Sequence, residues 1–332
     1  MATSKRVGSS SGSTFKTTLA AGWLGVCLAL GASSAYAQRD AIQLVVGAPP
    51  GGTTDTVARG IAQHMSKSLG RTVLVENKPG AGGNIASDYV AKSAPDGNKL
   101  LVSFTSFSIN ASLFKNLPFD PINDFTPISM LANVPSVLVT RTEFPADNIA
   151  ELIELVKASP GKYTTAVGSM GSSLHMAGER FKMMTGLEIL NIPYKGTAPA
   201  VTDLLGGQVD MMFGSALTVV PHIKSGKLKA IGVTSPGPLA HFPGVAPIGE
   251  TVPGFESNAW FAVFGPAGMP PETVEALNKG IREAVATPGF TKLLETESSK
   301  AISSTPQELA DFVSKDIALY ADIVKFTNAT TD

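Results

Sequence analysis

The stretch IQLVVGAPPGGTTDTVARGIAQHM, residues 42–65, decides the fold. An apolar run of strand type leads into a Pro-Pro-Gly-Gly turn, and apolar residues at helical spacing follow it. Val57, Ile61 and Met65 form one apolar stripe, and Gly70 is a residue type common just past the end of a helix. The stretch therefore predicts a strand, a glycine-rich turn and a helix.

The same alternation continues along the chain and then repeats. TVLVEN and KLLVSF are further strands, with a helix between them that begins near Gly83. The order returns in YTTAVG, LEILNIP and VDMMFGS, separated by predicted helices at 172–185 and 197–205. In the loops, GAPPGGTTD corresponds to GSMGSSLH, ENKPGAGG to PYKGTAPA, and SFTS to FGSA. We therefore expect two doubly wound α/β units, each with Gly/Ser loops at the carboxyl ends of its strands.

Two extended runs are expected to connect these units. Residues 136–140 would carry the chain across, and AWFAVFGPAG, residues 259–268, would carry it back, before helices at about 272–286 and 306–326. Two crossings form a hinge with a ligand cleft between the facing loops. The predicted fold class is thus α/β, two-lobed, with a two-strand hinge. Lobe I comprises residues 38–139 and 255–332, and lobe II comprises residues 140–254.

The first 37 residues read as a secretory signal. They combine a basic start, an apolar run too short to span a bilayer as a mature helix, and an A-x-A cleavage site. These features are Lys5, Arg6 and Lys16, the run 19–30, and Ala35-Tyr36-Ala37. A lipoprotein signal at Cys27 is a poorer fit because Val26 stands where a small residue is needed. We predict a soluble, exported protein in the periplasm.

Composition and motifs exclude several function classes. Without the signal, 23 of the 26 basic residues face 27 acidic ones, a net charge of −4 that offers no basic face to nucleic acid. The four histidines lack metal-ligand spacing, Cys27 leaves with the signal, and no Gly-x-Ser-x-Gly elbow is present. Ser172 and His175 are too common a pair to indicate a dyad without a third group. We expect a binding protein with no catalytic residue, metal or cofactor.

The two glycine-rich loops favour a small anion. A phosphate loop would need lysine where Thr53 stands, and the dinucleotide pattern fails at Ile85. What remains, twice, is a glycine-flanked helix N-terminus, whose unpaired amides attract anions. Hydroxyl groups in both loops add donors, and neither loop contains arginine, so a carboxylate fits best. The hydroxyl residues are Thr53, Thr54, Ser172 and Ser173.

Each of these residues also has a purely structural interpretation, which stays open. Thr53 or Ser172 could simply be helix N-caps. Asp55 could pair with Arg59 one helical turn away, and His175 could cap its own turn. Asp203 could be an exposed helical acid.

Several motifs together resemble one family. They are PPGGTTDTVAR, VENKPGAGGNIASDYVAKSAPDGN, NLPFDPINDFTPIS, GSSLHMAGERF, PYKGTAPAVTDLLGGQVDMMF and SGKLKAIGV. The chain resembles the extracytoplasmic solute receptors of the Bug type, the substrate-binding proteins of tripartite tricarboxylate transporters. The resemblance implies a monomeric type II periplasmic binding protein that closes on a small carboxylate and delivers it to membrane transporter subunits. A sensor subunit of a two-component system and an enzyme of the same fold remain alternatives.

The resemblance also implies the ligand-binding residues. In the first lobe they are Gly51, Gly52, Thr53, Asp55, and Ser103, Phe104, Ser106 and Phe107 of the loop after the third strand. In the second lobe they are Gly168, Gly171, Ser172, Ser173, His175 and Asp203. Two positions depart from the family pattern, Ala48 in place of an aromatic residue and Pro247 in place of threonine. The expected ligand is therefore a dicarboxylate, a tricarboxylate or an aromatic acid.

Overall fold

A computed structural model describes residues 1–3, 41–295 and 298–327. Contacts separate Met1–Ala41 from Ile42–Asp332, and every element named below belongs to the second unit. The predicted signal sequence, apart from its first three residues, lies outside the described residues. Within the described part of the chain, no helix has the length and apolar character needed to cross a membrane.

Strands and helices alternate along the chain, as the sequence predicts. The first stretch holds β1 (Ile42–Val46), α1 (Thr53–Leu69), β2 (Val73–Asn77), α2 (Asn84–Ala91), β3 (Lys99–Phe104), α3 (Ser106–Leu113) and β4 (Phe125–Val134). The middle stretch holds β5 (Ser136–Arg141), α4 (Ile149–Lys157), β6 (Thr164–Val167), α5 (Ser173–Thr185), β7 (Leu190–Pro193), α6 (Thr197–Leu205), β8 (Met211–Ser215), α7 (Ala216–Lys224), β9 (Leu228–Val233) and α8 (Ile248–Thr251). The last stretch holds β10 (Ala259–Pro266), α9 (Pro271–Val285), α10 (Pro288–Glu295), β11 (Lys300–Ala301) and α11 (Pro306–Thr327).

The strands form two mixed sheets. The first has the order β11-β4-β10-β3-β1-β2, and the second has the order β7-β6-β8-β5-β9. β1 is parallel to β2 and β3, and β6 is parallel to β7 and β8. The strands nearest the crossings, β10 and β5, pair antiparallel with their neighbours. Each sheet therefore has a parallel β-α-β part and an antiparallel part.

Helices cover both faces of each sheet. In the first sheet, one face packs on α1, α9 and α10, and the other packs on α2, α3 and α11. In the second sheet, α4, α5 and α8 cover one face, and α6 and α7 cover the other. Parallel strands need apolar cover on both faces, which the buried stripes of these amphipathic helices supply. The doubly wound α/β arrangement is thereby confirmed for both halves.

The two crossings lie beside the segments expected to form them. β4 of the first sheet and β5 of the second are separated by Pro135 alone, and the return runs through residues 234–258. The expected crossing segments are instead fully paired strands, since Val137 pairs with Gly214 and Trp260 with Asn133. Their sequence is extended because they are sheet strands, so extension alone did not locate the hinge. The lobe boundaries at 139/140 and 254/255 stay predictions.

The last helix joins the two halves in a way that the sequence did not indicate. Ile109 and Leu113 of α3, Met176 of α5, and Tyr320 and Ile323 of α11 form one buried apolar cluster. α3 follows a strand of the first sheet, whereas α5 follows a strand of the second. α11 therefore packs against both halves at once.

Candidate functional site

Four helices begin around one cavity of about 200 Å³. α1 and α3 follow strands of the first sheet, and their first residues, Thr53 and Ser106, line the cavity. α5 and α7 follow strands of the second sheet and contribute Ser173 and the N-cap residue Ser215. The first amides of a helix have no partner within it and carry the positive end of its dipole. Four such ends create a positive field without any charged side chain.

The cavity wall consists of hydroxyl and apolar side chains. Eight hydroxyl residues line it, namely Thr53, Thr54, Thr105, Ser106, Ser136, Ser173, Ser215 and Ser257. Seven apolar residues complete the wall, namely Phe104, Val134, Pro135, Leu174, Ala259, Trp260 and Phe261. None of these described lining residues is ionisable. The cavity thus suits a small molecule with an apolar body and anionic groups that accept hydrogen bonds.

Asp55 holds the first loop in shape. Its carboxylate is only 4 % exposed and accepts hydrogen bonds from the Gly51 amide at 3.0 Å, Arg59 Nε at 2.9 Å and Asn77 Nδ2 at 2.9 Å. The Arg59 bond is the chief cause that lowers the pKa of Asp55 to about 2, against an opposing effect of burial. Asn77 Nδ2 also donates to the Ala48 carbonyl at 3.1 Å. The structural interpretation of Asp55 and Arg59 is confirmed, because these bonds fix the turn that presents Thr53.

His175 has the matching place in the second loop. Its Nδ1 accepts the Gly171 amide hydrogen at 3.1 Å, and its Nε2 lies 3.5 Å from Glu179 Oε1. Glu179 in turn contacts Lys182 Nζ at 2.6 Å and Asn191 Nδ2 at 2.7 Å. Burial alone would raise the pKa of Glu179, but hydrogen bonds from these three partners outweigh it and lower the pKa to about 2. His175 therefore stands beside a carboxylate that stays ionised.

Ser172 is the N-cap of α5. Its hydroxyl accepts the His175 amide hydrogen at 3.2 Å and donates to the Ser169 carbonyl at 2.8 Å. The N-cap interpretation of Ser172 is confirmed. The N-cap of α1 is Gly52, so Thr53 is the first helical residue and not a cap.

The structure brings only some of the predicted site residues to the main cavity. Thr53, Phe104, Ser106 and Ser173 line it. Gly51 and Gly52 form the exposed turn just before Thr53. Gly168, Ser172 and His175 line a neighbouring cavity of about 100 Å³ inside the second half. A Cβ built on Gly171 would lie 2.6 Å from Leu113, so that loop touches α3 of the other half.

The predicted loop after the third strand is wrong in its extent. β3 runs to Phe104 because it pairs with β10, Ser103 opposite Ala262 and Phe104 opposite Phe261. Ser103 is consequently a buried strand residue, and Thr105 alone separates β3 from α3. Phe107 is 3 % exposed and stacks within the core beneath the first sheet, away from the cavity.

Asp203 and Ala48 also lie off the cavity wall. Asp203 accepts the Tyr194 hydroxyl hydrogen at 2.8 Å, and burial together with this bond raises the pKa of Tyr194 to about 12. Ala48 packs against the core of the first sheet. Of the two predicted aromatic site residues, Phe104 lines the wall and Phe107 does not.

Sequence reasoning missed several lining residues. Ser215 is the third residue of FGSA, the counterpart of SFTS, so the repeat indicated this position although the prediction did not include it. Ser136 directly follows the first crossing and Ser257 lies within the second, and both were missed because the crossings were placed a few residues away. Trp260 faces the cavity from β10 within a run that looks purely apolar.

Comparison with known proteins agrees with this geometry. The family described as TctC, tripartite tricarboxylate transporter family receptor, matches residues 57–328. The chain belongs to this family. Protein BugT of Bordetella pertussis is 38 % identical over 291 residues, which are 87 % of this chain and 89 % of BugT.

Solved structures of related proteins share the fold of this TctC receptor. The periplasmic binding protein BugD is 36 % identical with a TM-score of 0.71, covering 88 % of this chain and 99 % of BugD. Rpa4515 of R. palustris, solved with adipate, is 32 % identical with a TM-score of 0.72, covering 86 % and 97 % of the two chains. The fold is thus the two-lobed α/β fold of Bug-type periplasmic binding proteins.

Proposed function

We propose that this TctC-family receptor binds a small dicarboxylate in the periplasm and delivers it to the membrane subunits of a tripartite transporter. The observation that carries the proposal is the cavity at which α1, α3, α5 and α7 all begin. Two of these helix ends come from each half. A ligand with a carboxylate at each end would bind the helix ends of both halves and so stabilise their closed arrangement. A monoanion would bind the two halves less well.

The absence of arginine or lysine among the described cavity-lining residues has a consequence for affinity. Amides and hydroxyl groups bind carboxylates by hydrogen bonds without a fixed ion pair. A transporter subunit could therefore remove the ligand from the receptor at a small cost in free energy. A receptor that captures and then releases its ligand needs such a moderate affinity. The delivery role is proposed from this chemistry together with the family.

The volume and wall of the cavity narrow the ligand class. About 200 Å³ is below the usual range of drug-sized sites, which begins at roughly 300 Å³. The apolar surface of Phe104, Trp260 and Phe261 suits a methylene chain. An unbranched dicarboxylate fits these limits better than a branched tricarboxylate does. The bound adipate in Rpa4515 is a ligand of this type.

Calorimetric titration tests the proposal. The panel is adipate, malate, citrate and benzoate, with hexane-1,6-diol as an uncharged molecule of the length of adipate. We expect saturable binding of a linear dicarboxylate, weaker binding of citrate and benzoate, and none of the diol. Binding of the diol as tight as that of adipate would overturn the carboxylate assignment. Protein that has been unfolded, dialysed and refolded is used, so that carried-over ligand is removed.

A further inference from the structure

The two halves of the cleft contain the same loop-holding device built from different residues. In the first half, Gly51 at φ +86° donates its amide to Asp55, four residues later. In the second half, Gly171 at φ +74° donates its amide to His175, again four residues later. The residue four further along, Arg59 or Glu179, then contacts Asp55 or His175.

A strand residue completes each device. Asn77, the last residue of β2, bonds to Asp55 and Arg59, and Asn191 of β7 bonds to Glu179. The device therefore has a glycine donor, a helical acceptor, a charged helical partner and a strand asparagine in both halves. The acceptor is a carboxylate in one half and an imidazole in the other, and its charged partner is a cation, Arg59, in the first half and an anion, Glu179, in the second.

An imidazole accepts at Nδ1 only while that nitrogen carries no proton. The Gly171 bond therefore requires the tautomer with hydrogen on Nε2, which faces Glu179. The side chain is buried, and among the described residues Nε2 has no hydrogen-bond partner closer than Glu179 Oε1 at 3.5 Å. Protonation of Nδ1 would place two hydrogens against each other and break the contact with the loop.

We propose that His175 is the positioning residue of the second ligand-binding loop, acting through its neutral Nε2–H tautomer on the Gly171 amide. The proposal rests on the proposed function, because residues 168–173 lead into Ser173 at the cavity. It makes the second half of the cleft sensitive to protons. The first half is not, since Asp55 stays ionised throughout the range in which histidine titrates.

Charged groups surround His175. Glu179 and Lys182 lie on its own helix, and Glu188, which precedes β7, lines the same cavity of about 660 Å³ as His175. Glu179 faces Nε2 and the Gly171 amide faces Nδ1, so the neutral Nε2–H tautomer makes both contacts at once.

Nuclear magnetic resonance of the full chain labelled with ¹⁵N tests the proposal without any ligand. We expect His175 Nδ1 to show the shift of an unprotonated nitrogen near pH 8, and the Gly171 amide to move with the imidazole titration as the pH is lowered to about 5. In His175→Asn, whose amide oxygen accepts as Asp55 does, the Gly171 resonance should stay bonded and lose its pH dependence. The opposite tautomer, or a Gly171 amide that ignores the titration, would overturn the proposal.

Adipate titrations test whether the contact between His175 and Gly171 affects ligand binding. We expect the affinity of the wild type, divided by that of His175→Asn, to fall about tenfold as pH drops from about 8 to about 5, since one loop hydrogen bond is lost. His175→Leu, which has no acceptor, should be weak at every pH, and His222→Asn near the end of α7 serves as the matched control. A ratio that does not change with pH contradicts the proposal. If adipate binds no variant, the ligand class fails, and the resonance data still decide the role of His175.

Discussion

Asp55 and His175 hold equivalent positions, each accepting the amide hydrogen of a glycine four residues earlier at 3.0 and 3.1 Å. The loops that they hold begin the two helices facing each other across the cavity, α1 and α5. The conformation of both loops thus depends on residues that do not line the main cavity. Buried polar contacts outside the cavity wall fix the shape of the loops.

Removal of the Asp55 carboxylate should loosen the first loop. Asp55→Ala leaves the Gly51 and Asn77 donors without their acceptor and should lower the free energy of unfolding by about 1–3 kcal/mol. It should also weaken adipate binding. Asp55→Asn keeps an acceptor for Gly51 and should lose less of both. Thermal unfolding and calorimetry measure the two effects, and unchanged values in Asp55→Ala would refute this role.

Ser172 and Ser173 are neighbours with different expected roles. Ser172→Ala removes the N-cap of α5 and should cost about 1 kcal/mol of stability, a shift of the melting temperature of about 2–4 °C. Ser173→Ala should leave the melting temperature unchanged and lower adipate affinity several-fold, because Ser173 lines the main cavity. Identical behaviour of the two variants would show that the assignment of the two hydroxyl groups is mistaken.

Gly47 and Gly52, two glycines of the first loop, differ in whether a side chain would fit. A Cβ on Gly47 would lie 2.6 Å from Gly83 Cα, a backbone atom that cannot move aside. A Cβ on Gly52 meets nothing closer than 3.9 Å, and its φ of −84° suits any residue. Gly47→Ala should therefore lower the melting temperature strongly, and Gly52→Ala should not. Denaturation curves of the two variants test this, with equal stabilities as the contrary result.

Asp316 of α11 should make stability depend on pH. Burial raises its pKa from the usual 3.8 to about 6, despite the hydrogen bond that Trp260 Nε1 donates to it at 2.8 Å. The folded state thus binds the proton more tightly than the unfolded chain, so the contribution of Asp316 to stability rises as pH falls from about 6 to about 4. Asp316→Asn should raise the melting temperature near pH 8 by about 2–4 °C and lose this advantage near pH 4. A constant difference between the variants across this range would contradict the assignment.

The repeat in the sequence predicted most of the fold. Paired strand, glycine turn and helix patterns located α5 and α6 to within one residue, because apolar spacing and helix-end glycines are local signals. The same repeat indicated two halves with facing loops. The repeat shows which loops of the two halves correspond, but it does not show which of their atoms point into a cavity.

The errors have non-local causes. β3 extends through Ser103 and Phe104 because β10, more than 150 residues later, pairs with it. Phe107 falls under the sheet for the same reason. The crossing at Pro135 depends on which sheet accepts each strand, and the packing of α11 against both halves depends on how the halves approach each other. None of these partners can be identified from a local sequence window.

Fluorescence of Trp260 tests the central claim most directly. Trp260 lines the cavity, and the other tryptophan, Trp23, lies in the predicted signal, so all tryptophan emission of protein without residues 1–37 comes from Trp260. Titration with adipate should give a saturable change in emission that Ser173→Ala shifts to higher concentration, and hexane-1,6-diol should give none. A response to adipate that is unaltered by Ser173→Ala and equalled by the diol would contradict carboxylate binding at the four helix ends.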